Sequence, residues 1–162
     1  TTTNTPTIGR ARATPSISPQ TDFRALMLDS LHDRWQSFSA ELRGCRKQYS
    51  EAAVHDLRVA TRRLISTLEL VDRIHPEAQL REARRVLKRH LEMFGPLRDV
   101  QVQRLAIEKM LSSFPELQRF YDFLAKREGK LTRRLGTELK RLKIGKIRKS
   151  IAAAAKPQHA KR

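Results

Sequence analysis

Cysteine is nearly absent from this chain. Cys45 stands alone among 162 residues, so an intrachain disulfide is impossible and a zinc site built on several thiolates is excluded. A lone thiol suits a reducing compartment. Long apolar runs are missing too. The longest, Ile151–Ala155, is far short of the roughly 20 residues that span a membrane, and the N-terminus lacks the apolar stretch of a secretory signal. Aromatic residues make up 6% of the chain, few for a protein that stacks nucleic-acid bases. The chain has no Walker loop, no nucleophile elbow and no acidic cluster to hold magnesium, and with them goes the usual equipment for phosphoryl or acyl transfer. Acid is scarce: 17 Asp+Glu stand against 34 Lys+Arg, for a net charge of +17. That imbalance says nothing of fold. It favours association with a polyanion, because an unpartnered charge of this size repels itself.

What is present is helical periodicity. Ser18-Pro19 predicts a helix start, followed by Phe23, Leu26, Met27, Ser30, Leu31, Phe38 and Leu42, with Gly44 ending the run. Trp35 and Tyr121 fall outside the apolar stripes and are expected to be partly exposed. Ser50 caps a second helix with core stripe Val54, Leu57, Thr61, Leu64, Leu68 and Val71, alternating threes and fours. A third begins near Pro76 with Leu80, Ala83, Leu87, Leu91 and Phe94, and Gly95-Pro96 breaks it. A fourth runs from Pro96 to Leu111 with Val100, Ile107 and Leu111 inward. Ser112-Ser113 separates it from a fifth, striped by Leu117, Phe120, Leu124, Leu131, Leu135 and Leu142. No segment sustains strand alternation. The expected fold is all-α, an antiparallel helix bundle of about five helices. Its boundaries are a disordered segment over 1–20, a helical domain over 21–143, and a basic tail over 144–162. Residues 140–162 hold nine Lys/Arg and no acid, and such composition predicts disorder. Deleting Ile151–Arg162 is therefore expected to remove only flexible charge.

The placement of the charge is more informative than its total. His55, Arg58 and Arg62 are spaced three and four apart, and at about 100° per residue they form one stripe flanking the core face of the second helix. Arg63 lies further round. Arg81, Arg84, Arg85 and Lys88 repeat the arrangement on the third helix, and Arg127, Lys130, Arg134 and Arg141 on the fifth. Like charges at i, i+4 destabilise an isolated helix by a few tenths of a kcal/mol per pair, and Arg58/Arg62, Arg81/Arg85, Arg84/Lys88 and Lys130/Arg134 all accept that. A set of solvated faces explains each run singly; stripes sharing one groove would make an anion cradle. With so few aromatics beside them, they suit phosphate charge better than bases.

The second helix reads Val54-His55-Asp56-Leu57-Arg58-Val59-Ala60-Thr61-Arg62-Arg63-Leu64, which resembles the signature of the CHAD family, the conserved histidine α-helical domain. Gly95-Pro96-Leu97-Arg98-Asp99 resembles the family's second landmark, a glycine followed closely by Arg-Asp. The resemblance covers about Thr21 to Leu142. It implies a helical fold of two similar four-helix halves around a basic groove that binds inorganic polyphosphate, in proteins that occur alone, on polyphosphate granules, or fused to triphosphate-processing domains. By position, His55, Arg58, Arg62 and Arg63 match the first motif, Arg81, Arg84, Arg85 and Lys88 the basic helix between the motifs, and Arg98 the second. Only one His-x-x-Arg helix is found, so the chain resembles one half of a CHAD domain, and a homodimer is the natural way to restore the groove, with His55 from both subunits lining it.

A metal reading of His55 fails on its neighbours. Of Glu51, Ala52, Arg58 and Val59 only Glu51 could ligate, and the arginines repel a cation. Asp99 is expected to orient an arginine or sit at a helix N-terminus. The resulting expectation is a non-enzymatic module without cofactor or metal. It would bind polyphosphate through His55, Arg58, Arg62, Arg63, Arg81, Arg84, Arg85, Lys88, Arg98, Arg127 and Arg134, in the cytoplasm or on polyphosphate granules. The competing expectation is a non-specific nucleic-acid-binding protein that uses the basic surface and tail.

Overall fold

The computed structural model describes residues 23–154, and every regular element in that range is helical. The elements are α1 (Phe23–Lys47), α2 (Glu51–Ile74), α3 (Ala78–Met93), α4 (Gly95–Met110), a 3₁₀ turn at Pro115–Leu117, α5 (Gln118–Arg141) and α6 (Ile144–Ala154). The expected segment over 1–20 lies outside the described residues, as does the predicted start at Ser18-Pro19.

α1 and α2 form the largest interface, and α2 packs next on α3. The three-residue connection after α1 forces antiparallel packing. Ser50 closes that connection by accepting a hydrogen bond from the Ala53 amide at 3.2 Å, satisfying one of the donors that the first turn of a helix leaves free. All six expected core positions of α2 are buried. Thr61 is tolerated there because its hydroxyl donates to the Leu57 carbonyl at 2.7 Å. α1 does not stop at Gly44, which has ordinary helical geometry.

Phe94 separates α3 from α4 with scarcely a turn between them. Pro96 has no amide hydrogen to continue the ladder, and α4 leaves the three-helix body there. α5 returns antiparallel along it. The last turns of α5 rejoin the body through Leu135, Leu139 and Leu142, where Arg46 donates to the Leu139 carbonyl at 2.7 Å. Between residues 102 and 127 no hydrophobic side chain joins the main core, so the outer parts of α4 and α5 form a hairpin held mainly to itself.

Three expectations are corrected. The basic tail is not all tail: Ile144–Ala154 folds as α6, and its Ile147, Ile151 and Ala154 belong to the core against α3 and α1. Trp35 is 7% exposed because it continues the Leu31, Phe38, Leu42 and Cys45 face at helical spacing. Phe23 and Phe120, expected on core stripes, are 57% and 46% exposed.

Candidate anion-binding seam

Antiparallel packing of α2 on α3 brings the flanks carrying the basic stripes together. Arg58 of α2 donates to the Leu91 carbonyl near the end of α3 at 3.3 Å. Further along, Arg84 approaches Glu69 at 3.7 Å and Arg81 pairs with Asp72 at 3.0 Å. In that register, each step forward on α2 is a step back on α3, which sets Arg62 opposite Lys88. The N-terminus of α4 closes the upper end, where Arg98 is ion-paired to Glu51 at the start of α2. The seam is thus a surface strip lined by His55, Arg58 and Arg62 on one side and by Lys88, Arg84 and Arg81 on the other.

Its cations are not equivalent. Arg81, Arg84 and Arg98 are committed to carboxylates across the seam, and Arg85 to Glu82 on its own helix at 2.6 Å. These pairs fix the geometry and cancel charge. Arg58 differs: it is half-buried and its hydrogen bond goes to a neutral carbonyl. Burial lowers its pKa from the ordinary arginine value, the neighbouring Arg62 lowers it further, and Asp99 opposes both. Arginine stays protonated regardless, so the shift measures a charge short of compensation. His55, Arg62 and Lys88 are exposed, with no hydrogen bond or ion pair among the described residues. A guanidinium with neutralised anchors below it and free cations beside it can receive phosphate oxygens through charge-assisted hydrogen bonds.

Both motifs quoted from the sequence converge on this seam, one on α2 and the other at the α3–α4 break. The CHAD domain family profile matches residues 27–162 of the chain. The protein belongs to the CHAD domain family. No curated protein and no solved structure matches the chain. The family match runs through α6 and so includes the segment that composition alone sets aside as tail. A CHAD domain is a non-catalytic binding domain. Among the described residues of this one, no group of three or more His, Cys, Asp or Glu could hold a metal, and no helix is long and apolar enough to cross a membrane.

Three basic residues assigned from sequence lie apart from the CHAD seam. Arg63 lines a hollow of about 210 Å³ on the opposite flank of α2, with Arg34, Glu41 and Asp56. Arg134 borders one of about 320 Å³ with Met93, Pro96, Leu135 and Glu138. Arg127 stands exposed on α5. Sequence reasoning missed the carboxylates that hold the seam. Glu51 and Glu69 fall on the same flank of α2 as Arg58 at about 100° per residue, a signal that counting cations alone overlooks.

Proposed function

We propose that this CHAD domain binds inorganic polyphosphate along the α2–α3 seam and performs no chemistry on it. The carrying observation is Arg58: half-buried, without a carboxylate bonded to it, and beside the unpaired Arg62 and Lys88. His55 extends the contact along the strip. Arg81, Arg84, Arg85 and Arg98 hold the frame through their carboxylates, and Arg63, Arg127 and Arg134 add long-range attraction. The functional unit is a pair of chains offering two seams to one polymer, in the cytoplasm or on polyphosphate granules.

A second reading, backbone binding of duplex DNA, is favoured by α6, whose Lys146, Arg148 and Lys149 are exposed on an ordered helix. Competition at matched salt separates the two. Long-chain polyphosphate should displace duplex and single-stranded DNA at equal phosphate concentration, whereas equal or tighter binding of DNA would establish the second reading instead.

A further inference from the structure

Nine large hydrophobic side chains are exposed among the described residues, and five of them lie on the projecting hairpin: Val102, Met110, Phe114, Phe120 and Phe123. At helical spacing, Met110 on α4 falls on the same side of the hairpin as Phe120 and Phe123 on α5, with Phe114 in the turn at the far end. The Phe120 and Phe123 rings stack, with centroids 6.3 Å apart and planes 14° off parallel. A phenylalanine offers about 150–250 Å², so three that are half exposed present about 250–350 Å². With Met110 the patch reaches about 400 Å², roughly half of what each partner contributes to a standard stable interface. That is the apolar share such interfaces carry.

Beneath this face the hairpin is clamped rather than loose. The buried Gln101 donates to the Tyr49 carbonyl at 3.0 Å and to Glu128 at 3.2 Å, Arg104 pairs with Glu128 at 2.6 Å, and Arg104 also donates to the Tyr121 hydroxyl at 2.8 Å. Burial works against the Arg104 charge, but Glu128 and Tyr121 more than offset it, and its pKa is raised. A rigid support presents the apolar face without an ordering penalty on binding.

We propose that this face is where a second copy of the chain docks, hairpin against hairpin about a two-fold axis. Charge selects the occupant. Residues 102–126 hold four cations (Arg104, Lys109, Arg119, Lys126) and three anions (Glu108, Glu116, Asp122), a net +1 within a chain of +17. An acidic partner is drawn to the body, and another copy is repelled from it. The near-neutral hairpin is where two such chains can meet. The ends also carry charge available for pairing: Glu108 and Glu116 near the tip and Arg127 and Lys130 near the neck form no ion pair among the described residues. Crossing two hairpins antiparallel brings Glu108 and Glu116 at one near-neutral tip, beside Lys109 and Arg119, to the other's basic neck, a reciprocal contact of the kind two-fold symmetry demands.

This rests on the paired-chain reading and needs no anion in the seam, so sedimentation equilibrium of the full chain without polymer, at about 0.15 M salt, tests it. A dimer is expected, and Phe120→Asp with Phe123→Asp should weaken it at least about 100-fold while leaving the helical circular dichroism unchanged. Arg127→Glu should weaken it about tenfold, and adding Glu116→Lys should restore it to within about threefold. Met110→Lys serves as a second disruption should the double variant lose helicity. A chain that stays monomeric up to about 100 µM overturns the surface and the pairing together. A dimer indifferent to the Phe120, Phe123 and Met110 changes overturns the surface alone.

Discussion

A guanidinium held between two helices keeps its charge but loses part of its water, and whatever compensates it then decides its function. Arg81, Arg84 and Arg98 meet carboxylates, whereas Arg58 meets a carbonyl and another arginine. Charge reversal at Arg58 or Arg62 removes a charge-assisted contact worth about 1.5–3 kcal/mol and should weaken polyphosphate binding roughly 10- to 150-fold. Arg63→Glu, on the far flank, removes only distant charge and should weaken it by less than about threefold. Titration calorimetry of these variants at one salt concentration checks the ranking, and equal effects at Arg58 and Arg63 would point to diffuse attraction. The basic flank was legible because helix periodicity alone places Arg58 and Arg62 beside the core stripe. Which cations are already neutralised was not, because Arg81–Asp72 and Arg84–Glu69 depend on the register between helices. Cys45 supplies a second residue-scale test. Its side chain is fully buried, and burial pushes its thiol up to about 11, so near pH 8 it should resist alkylation until the chain unfolds. Below pH 9 the thiol is protonated in both states. Above that the unfolded thiol ionises first, and stability should fall between pH 9 and about 11, as denaturant midpoints across that range would show.

Among the elements, α6 shows how composition can hide periodicity. Its sequence is basic and alanine-rich, as a solvated tail would be, yet Ile144, Ile147, Ile151 and Ala154 recur at threes and fours, and the last three are buried. Ile151→Ala should therefore lower the unfolding free energy by about 2–4 kcal/mol, read as a lower midpoint in chemical denaturation. Deletion from Ile151 onward removes part of the core as well as charge. An unchanged midpoint for Ile151→Ala would show that α6 contributes little to stability. α2 was fully legible for the converse reason: its stripe has no slip and its cap is a serine with a glutamate in the first turn. The stripe of α5 misled at Phe120 because the pattern gives a helix an apolar side without saying whether a partner covers it. Among the described residues the outer half of α5 packs mainly against α4 and the turn.

The molecule as a whole carries +17, and that charge acts on folding and on binding with opposite dependence on salt. Without polymer, the exposed cations of α2, α3, α5 and α6 repel one another across distances comparable to the Debye length, about 10 Å at 0.1 M salt. Raising salt screens that repulsion and should raise the thermal midpoint of the free chain. A bound polyanion neutralises the same cations directly, and because it binds the folded seam better than a dispersed chain, it stabilises by mass action. Its affinity rests on releasing condensed counterions, so it weakens as salt rises. Two melting series follow, one with and one without saturating long-chain polyphosphate, each from about 0.05 to 0.5 M salt. The free protein's midpoint should climb across the range while the complex's falls, and the two should converge at high salt. Arg58→Glu separates specific from diffuse attraction in the same series. It should shrink the polymer-induced increment throughout the low-salt range, because the removed contact belongs to the seam, and barely alter the rise of the free chain, to which one charge among many contributes little. Parallel curves with and without polymer would mean that the polymer does not distinguish the folded seam from an unfolded polycation.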